Sequence, residues 1–525
     1  MNAASWLTCR FRVALAGIAS ALPLQASDWY VDAVHGDDAN SGATAALAWR
    51  TLTHALASLP APTSQAQTVN VAPGVYGPAL GELFPLSPAA GVWIRGTVGS
   101  AATILEGAAS SLFVFSEATS GTPSPSGAEG LTLRNSDRGI IVIGSTSGTT
   151  APAFRDVVIE GMQTDGVLVG ASASFFDYAA AHPAFERVTI AHCGVGVRIS
   201  AGTTSQLEGA TSKVELLDCS VLFSGLDGLS LLSNGNAMTH AGLTRCRVLA
   251  NGRDGVHCTP SARTESVTAR ACLFADNLRA GLWGEANPSN FWLYDSTIAH
   301  NAAAGIHTAN GHATDVHNSI VAANGDDVEL SGPLYASFSN SADGELLGQP
   351  NCIAVDPLFV DIGAGDYRLR WGSPCIESGA PASASHADLL GHMRGYDGDL
   401  DTHGSVDMGA FEFEPLHVDG VARSGGSLAF ELWGASGAHS RLLLSRQAVT
   451  APQSTPFGSF VLLRPRTLGL LSVPLGPPTP ARFTLRVPSS PALIGTTLTL
   501  QALTLSVSAP RGRALSNPVA LVVEP

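Results

Sequence analysis

The chain has 525 residues, of which only 14% are charged, together with 56 glycines and 31 prolines. That length is too great for one compact core, and the turn-rich, charge-poor balance argues against helical bundles and coiled coils. A formal net charge of −15 argues against a nucleic-acid partner, whose phosphates require a basic stripe; the acidity suits bound calcium or solubility alone.

At the N-terminus, Arg10 and Arg12 precede the apolar run Val13 to Leu22, and Leu24-Gln25-Ala26 ends in a small residue. This order predicts a signal peptide over residues 1–26, hence a secreted or cell-surface protein of a bacterium. Mean hydropathy is +0.20, yet beyond this segment no apolar run reaches the roughly 18 residues of a membrane span. Cleavage would remove Cys9 and leave Cys193, Cys219, Cys246, Cys258, Cys272, Cys352 and Cys375. None of these forms a CxxC pair, which argues against zinc.

The middle of the chain repeats. Gly139, Gly166, Gly196, Gly228, Gly255, Gly281 and Gly305 recur at intervals of 27, 30, 32, 27, 26 and 24 residues. A turn position leads each glycine and becomes Asn251, Asn277, Asn301 and Asn324 in the later repeats. Asparagine suits such a turn because it tolerates the left-handed conformation and can bond to the next coil. Further upstream an inward position reads Cys219, Cys246, Cys272, Ser296 and Ser319. Each repeat carries two or three short alternating runs that cannot bury their apolar side alone; stacked coils bury it in one column. The leucine-rich LxxLxLxxN pattern and propeller-length repeats are both missing. A parallel β-helix is predicted, with the three cysteines as an interior stack rather than a redox or metal site.

Two flanking segments carry a family resemblance. WYVDAVHGDDANSGATAALAWRTLTHALASL (Trp29 to Leu59) and TVNVAPGVYG resemble the opening of secreted right-handed parallel β-helix repeat proteins. VDPLFVDIGAGDYRLRWGSPCIESGAP and GYDGDLDTHGSVDMGAFEF are similar to the closing cap of choice-of-anchor β-helix proteins. The resemblance implies a right-handed, pectate-lyase-like β-helix with both caps over residues 27–414. Cys375 stands where the family has small residues, and Cys352 lies 23 residues upstream, so a disulfide stapling the cap is expected in an exported chain. From residue 415 to 525, short runs such as SLAFELWG, RFTLRVP and TLTLQALTLSV, separated by Pro, Gly and Ser, predict a small antiparallel β-sandwich. The fold class is therefore all-β: a solenoid followed by a sandwich, in a monomer.

Pectate lyases, polygalacturonases, alginate epimerases and phage tailspikes share this class of scaffold, so the resemblance implies a polysaccharide partner. Two positions beyond each glycine, alternation turns Arg198, Ser230, His257, Trp283 and His307 outward. Arg198, His257, Trp283 and His307 are candidates for substrate binding, with the tryptophan stacking on a sugar ring; an ordinary exposed strand face is the alternative. Just before the glycines stand Asp165, Asp227 and Asp254, and Arg253 and Arg279 stand close by. A lyase could use Asp227 and Asp254 to hold calcium against a uronate, with Arg253 or Arg279 as the base; Asp-Gly turns with surface ion pairs are the alternative. WIDH-like and RxPxxR-like segments, expected of a pectate lyase, are missing. Asp397, Asp399 and Asp401, like Asp37, Asp38 and Asn40, read as solvated turns or structural calcium sites. His300 and Asp276 read as exposed turn residues at one edge. Two functions follow: a polysaccharide-directed enzyme, either a β-eliminating lyase of acidic polymer or a glycoside hydrolase, or a non-catalytic glycan-binding or structural surface protein.

Overall fold

The computed structural model describes residues 27–60, 66–116, 126–144, 148–173, 178–203, 209–259, 265–285, 289–309, 313–381, 386–395, 404–433, 438–446, 448–455, 458–462, 465–475, 481–505 and 513–525. The segment expected to be a signal peptide, and Asp397, Asp399 and Asp401, lie outside these. No helix among the described residues is long and apolar enough to cross a membrane.

Three parallel sheets run along one axis and enclose a single core. Face A stacks fourteen strands, face B eleven and face C nine. Each coil visits A, then B, then C, so neighbours within a sheet come from successive repeats. Alternation decides what is buried: in Glu265–Arg270 every second side chain is buried and those between are partly exposed. The inward rows are fully buried, among them Phe154, Phe185, Phe274 and Phe291. The Phe154 and Phe185 rings stack at 4.9 Å, close to the spacing of the coils themselves.

The recurring glycine marks the entrance to face C, and its requirement is space. A Cβ at Gly228 would lie 2.7 Å from the Gly255 carbonyl oxygen, and one at Gly255 would lie 2.5 Å from that of Gly281. No side chain fits between coils there.

The asparagine row is an interior ladder. Asn251 Nδ2 donates to Asn277 Oδ1 (2.9 Å), Asn277 Nδ2 to Asn301 Oδ1 (2.8 Å) and Asn301 Nδ2 to Asn324 Oδ1 (2.9 Å). The left-handed conformation expected at these asparagines falls one residue earlier, on Ala250, Asp276, His300 and Ala323, with φ from 55° to 61°. The asparagines instead supply the bonds that a buried bend lacks. The cysteine and serine row behaves alike: the Cys246 amide donates to Cys272 Sγ, and the Cys272 amide to Ser296 Oγ. Burial holds the Cys246 thiol protonated.

At the N-terminal end, the helix Leu52–Ser58 closes the column. The Glu82 carboxylate accepts its first amides, Leu52 at 2.7 Å and Thr53 at 2.8 Å. Asp38 accepts the amides of Arg50 and Thr51 and the Thr51 hydroxyl, and Asn40 Nδ2 donates to the Ala48 carbonyl. These contacts match the turn reading of that loop.

At the other end, Arg394 is buried and donates to the Gly409 carbonyl at 2.8 Å, while the Asp407 carboxylate accepts the amides of Glu377 and Phe413. The Cys352–Cys375 disulfide is not formed: both thiols are free. Cys375 belongs to the core of the closing cap, whereas Cys352 packs against the solenoid's own core. From Leu416 the sheets are antiparallel. Leu416–Asp419, Ser427–Leu432 and Ala481–Arg486 form one, and a five-stranded sheet centred on Ala438–Ser445 and Thr497–Leu505 forms another. Leu428, Phe430, Leu442 and Leu500 lie buried among them.

Candidate functional site

The outward column of face C is a true register: Arg198 pairs with Ser230, Ser230 with His257, His257 with Trp283 and Trp283 with His307. It runs one coil further, to Glu329. The aspartate and arginine positions flank the same column, so the residues singled out from the sequence do meet.

They meet as a closed ladder. Asp227 and Asp254 are buried, and each faces a guanidinium fork. Arg253 Nε donates to Asp227 Oδ1 at 2.7 Å and its Nη2 to Oδ2. Arg279 repeats this on Asp254, with Nε to Oδ1 at 2.8 Å and Nη2 to Oδ2. The Ala280 amide donates to the same Asp254 carboxylate. Burial alone would raise the Asp254 carboxyl; the hydrogen bonds from Arg279 and His257 outweigh it and hold the group below the ordinary aspartate range.

His257 was expected to face solvent but is only 2% exposed. Its Nδ1 lies 2.9 Å from Asp254 Oδ2 and its Nε2 3.4 Å from Glu285 Oε1, so both nitrogens face carboxylates. The physical reason is the next coil: the Arg279 guanidinium approaches Nδ1 to 2.9 Å.

Trp283 is likewise closed. The His307 ring stacks on it at 3.7 Å and 12°. The Arg279 guanidinium lies 3.9 Å from its centroid on the side of the preceding coil. With one face under imidazole and the other under guanidinium, stacking on a sugar ring is blocked. Nδ1 of His307 in turn lies 2.7 Å from Glu329 Oε2. Arg198 binds Asp165 (Nε to Oδ1, 2.8 Å), which Arg138 also holds.

Calcium does not fit this arrangement. Asp227, Asp254 and His257 bring ligand atoms within 4.8 Å of one another. Yet each carboxylate is already covered by a fork, and the third donor is an imidazole, where calcium takes six to eight oxygens. Nor is either arginine placed to act as a base. A guanidinium that donates twice to a buried carboxylate is held protonated, and the Arg253 group is raised further by Asp227.

Sequence reasoning missed the outer side of face A. In Ser289–Tyr294 the order Phe-Trp-Leu-Tyr alternates, with Phe291 and Leu293 buried and Trp292 and Tyr294 half-buried on the outside. The register places Thr268, Trp292, Asp315 and Tyr335 in one outward column, and Arg270, Tyr294, His317 and Ser337 in the next. Tyr294 is enclosed like Trp283, between the Arg270 guanidinium at 4.7 Å and the His317 ring at 5.6 Å. Trp292 has no ring on either column neighbour, and Tyr335 is 56% exposed. Two to five coils back along the same face lies a trough of about 330 Å³, floored by Ala153 and Ala184 and walled by Arg155, Glu186 and Thr244. The alternation within FWLY was the available signal; its meaning depended on knowing which strands lie beside it.

The comparisons with known proteins concern the fold. Residues 126–342 match the family model for a right-handed beta helix region. The solenoid is a right-handed parallel β-helix. An overlapping stretch, residues 34–177, matches the family described as protein of unknown function (DUF1565). Among solved structures, the β-helix is similar to full-length tailspike protein 2 of Escherichia coli O157:H7 bacteriophage CAB120, at 10% identity and a TM-score of 0.35, over 87% of this chain and 64% of that one. The chain thus spans less than two thirds of that tailspike. A rhamnogalacturonan lyase is similar at 13% identity and a TM-score of 0.30, over 66% of this chain and 93% of that one. The tailspike gp49 of Acinetobacter baumannii bacteriophage Fri1, a capsular polysaccharide depolymerase, is similar at 8% identity and a TM-score of 0.25, over 87% and 82%. No curated protein matches the chain.

Proposed function

We propose that this protein is carbohydrate-directed and binds glycan chains on the outer side of face A of its β-helix. The observation that carries the reading is the pair of half-buried Trp292 and exposed Tyr335 in one column, separated by a single coil. The C–H face of a sugar ring buries apolar area against an aromatic face, and polar neighbours such as Asp315 and Thr268 can bond its hydroxyls. Stacked coils about 4.8 Å apart repeat that offer along the axis, which suits a linear polymer. An exported chain, as the opening segment suggests, would meet such polymers outside the cell.

Binding is favoured over β-elimination at the Asp/Arg ladder. Cleavage of an acidic polymer there would ask Arg253 or Arg279 to give up a proton while forked on a carboxylate, and would ask Asp227 and Asp254 to leave those forks for calcium.

A panel of soluble polysaccharides assayed by affinity electrophoresis, with parallel assays for unsaturated and reducing ends, tests the reading. Binding without product, weakened in Trp292→Ala and intact in Trp283→Ala, is expected. Unsaturated ends that vanish in Arg279→Ala would restore the lyase; absence of binding to every polymer would remove the carbohydrate reading.

A further inference from the structure

Resting on that proposal, we infer that the glycan taken by face A is a neutral polymer rather than a uronate or sulfated one. The arginines and the lysine described on this outer face each pair with a carboxylate. Arg95 pairs with Glu129, and Arg155 Nε lies 3.2 Å from Glu186 Oε2. Lys213 Nζ lies 2.7 Å from Glu215 Oε1, and Arg270 Nη1 lies 3.1 Å from Asp295 Oδ2. Each of these four cations therefore already has a carboxylate, and a polyanion would have to displace it. Asp315, beside Trp292 and Tyr335, adds an acidic group where the aromatic rings are offered, with His317 Nε2 3.8 Å from its Oδ1.

The wider field points the same way. A formal net charge of −15 repels a polyanion at long range and slows its approach. What face A offers instead is aromatic surface, the hydroxyls of Thr244 and Thr268, and a floor of Ala153 and Ala184 between walls whose Arg155 and Glu186 pair with each other. Trough and aromatic column lie on the eight successive strands from Ala153–Arg155 to Leu334–Ser337. At ~4.8 Å per step they span roughly 34 Å, the length of several sugar rings, so the ligand is a chain rather than a single sugar.

The test uses the full chain and titrates it calorimetrically with neutral galactomannan, arabinoxylan and mixed-linkage glucan, and with acidic polygalacturonate and alginate, at about 50 mM and about 500 mM salt. A neutral polymer should bind, with affinity changing less than about twofold between the two salts. Trp292→Ala and Tyr335→Ala should each weaken it about tenfold. Tyr335 is exposed, so its variant keeps the test alive if Trp292→Ala fails to fold, and a thermal melt of each confirms folding. Preference for an acidic polymer, lost at high salt, would overturn the neutral assignment while leaving the glycan reading intact. Neutral binding untouched by both variants would overturn the assignment to face A. Binding of none of the five would overturn both.

Discussion

Faces A and C of the solenoid both carry aromatic and charged residues outward, and they do opposite things with them. On face C the rows His257–Trp283–His307 and Arg253–Arg279 fall on consecutive coils, and the His307 ring and the Arg279 guanidinium both land on Trp283. On face A, Trp292 lies between Thr268 and Asp315, and nothing flat sits above or below it in its column. In a solenoid the coil spacing is close to the stacking distance of aromatic rings. Consecutive rings therefore consume one another, and a ring is left for a ligand only where the register interrupts the row. A contiguous aromatic or imidazole column is thus better evidence for a stabilising ladder than for a binding strip.

If that contrast is right, the largest effect follows from breaking the ladder of face C. Asp254→Ala would leave the Arg279 fork, the His257 ring and the Ala280 amide without their shared acceptor. Removing one partner of a buried pair costs about 3–5 kcal/mol. A drop of several degrees or more in melting temperature, with glycan affinity unchanged in the protein that still folds, is expected. Loss of affinity without loss of stability would instead make face C the binding surface. Next comes the interior ladder, which touches neither outer face. Asn277→Ala strands the Asn251 amide and side chain inside the core, at a cost of about 2–3 kcal/mol, read by chemical denaturation with binding again unaffected.

Much of this was legible in the chain. The glycine period gave the solenoid, because a position that tolerates no Cβ repeats once per coil whatever else varies. The inward cysteine and serine row was readable for the same reason. Alternation placed Arg198, His257, Trp283 and His307 in one column, and the register agrees. What alternation cannot show is how side chains of adjacent coils spend themselves on each other. Arg279 precedes its glycine by two residues and in sequence has no visible bearing on His257, yet its guanidinium lies 2.9 Å from that ring's Nδ1 and over one face of Trp283. The left-handed bend was misplaced by one residue because asparagine tolerates that conformation so well; here it is used for its amide, and Ala250 and His300 take the strain. Cys352 and Cys375 are near in sequence, but they pack into different cores.

Acid separates the contributions further, because two buried carboxyls shift in opposite directions. Asp254 is held below its ordinary value of 3.8, so its contribution is present above about pH 4 and is lost as pH falls through its folded-state value. Asp327 accepts from the Asn324 amide and Nδ2 at the end of the asparagine ladder. Burial, the largest influence, pushes its carboxyl up to about 6, with Asp343 adding to the rise and Asn324 opposing it. A raised group contributes stability fully below pH 3.8, and that contribution is lost as pH rises through about 6. The interval corresponds to roughly 2–3 kcal/mol. Melting temperature measured from pH 4 to 7 should therefore fall less steeply in Asp327→Asn than in the wild type, whereas Asp254→Asn should leave that window unchanged and alter only the acid side of it. A wild-type slope unaffected by Asp327→Asn would place the responsible carboxyl elsewhere, with buried Asp388 and Asp407 of the closing cap, both raised by burial, next in line.

The smallest effect is the most discriminating, since it sets one tryptophan against another. Trp283→Ala removes a ring sandwiched between Arg279 and His307, and its cost should appear as roughly 2 kcal/mol of stability, with no change in glycan affinity. Trp292→Ala removes a half-buried ring whose column neighbours carry no flat group; its cost should appear mainly as binding, about tenfold or roughly 1.4 kcal/mol. Measured together by thermal melt and calorimetry, the two variants should move on perpendicular axes. If both lose affinity, faces A and C belong to one extended surface that wraps an edge of the solenoid. If both lose only stability, Trp292 is spent on packing as Trp283 is, and a broken register is then insufficient to leave a ring free. The contrast therefore rests on a difference of one column neighbour, Asp315 where face C has His307, and Asp315→His in face A is its sharpest form: placing an imidazole beside Trp292 should lower affinity by covering the ring, while leaving every other residue of the face in place.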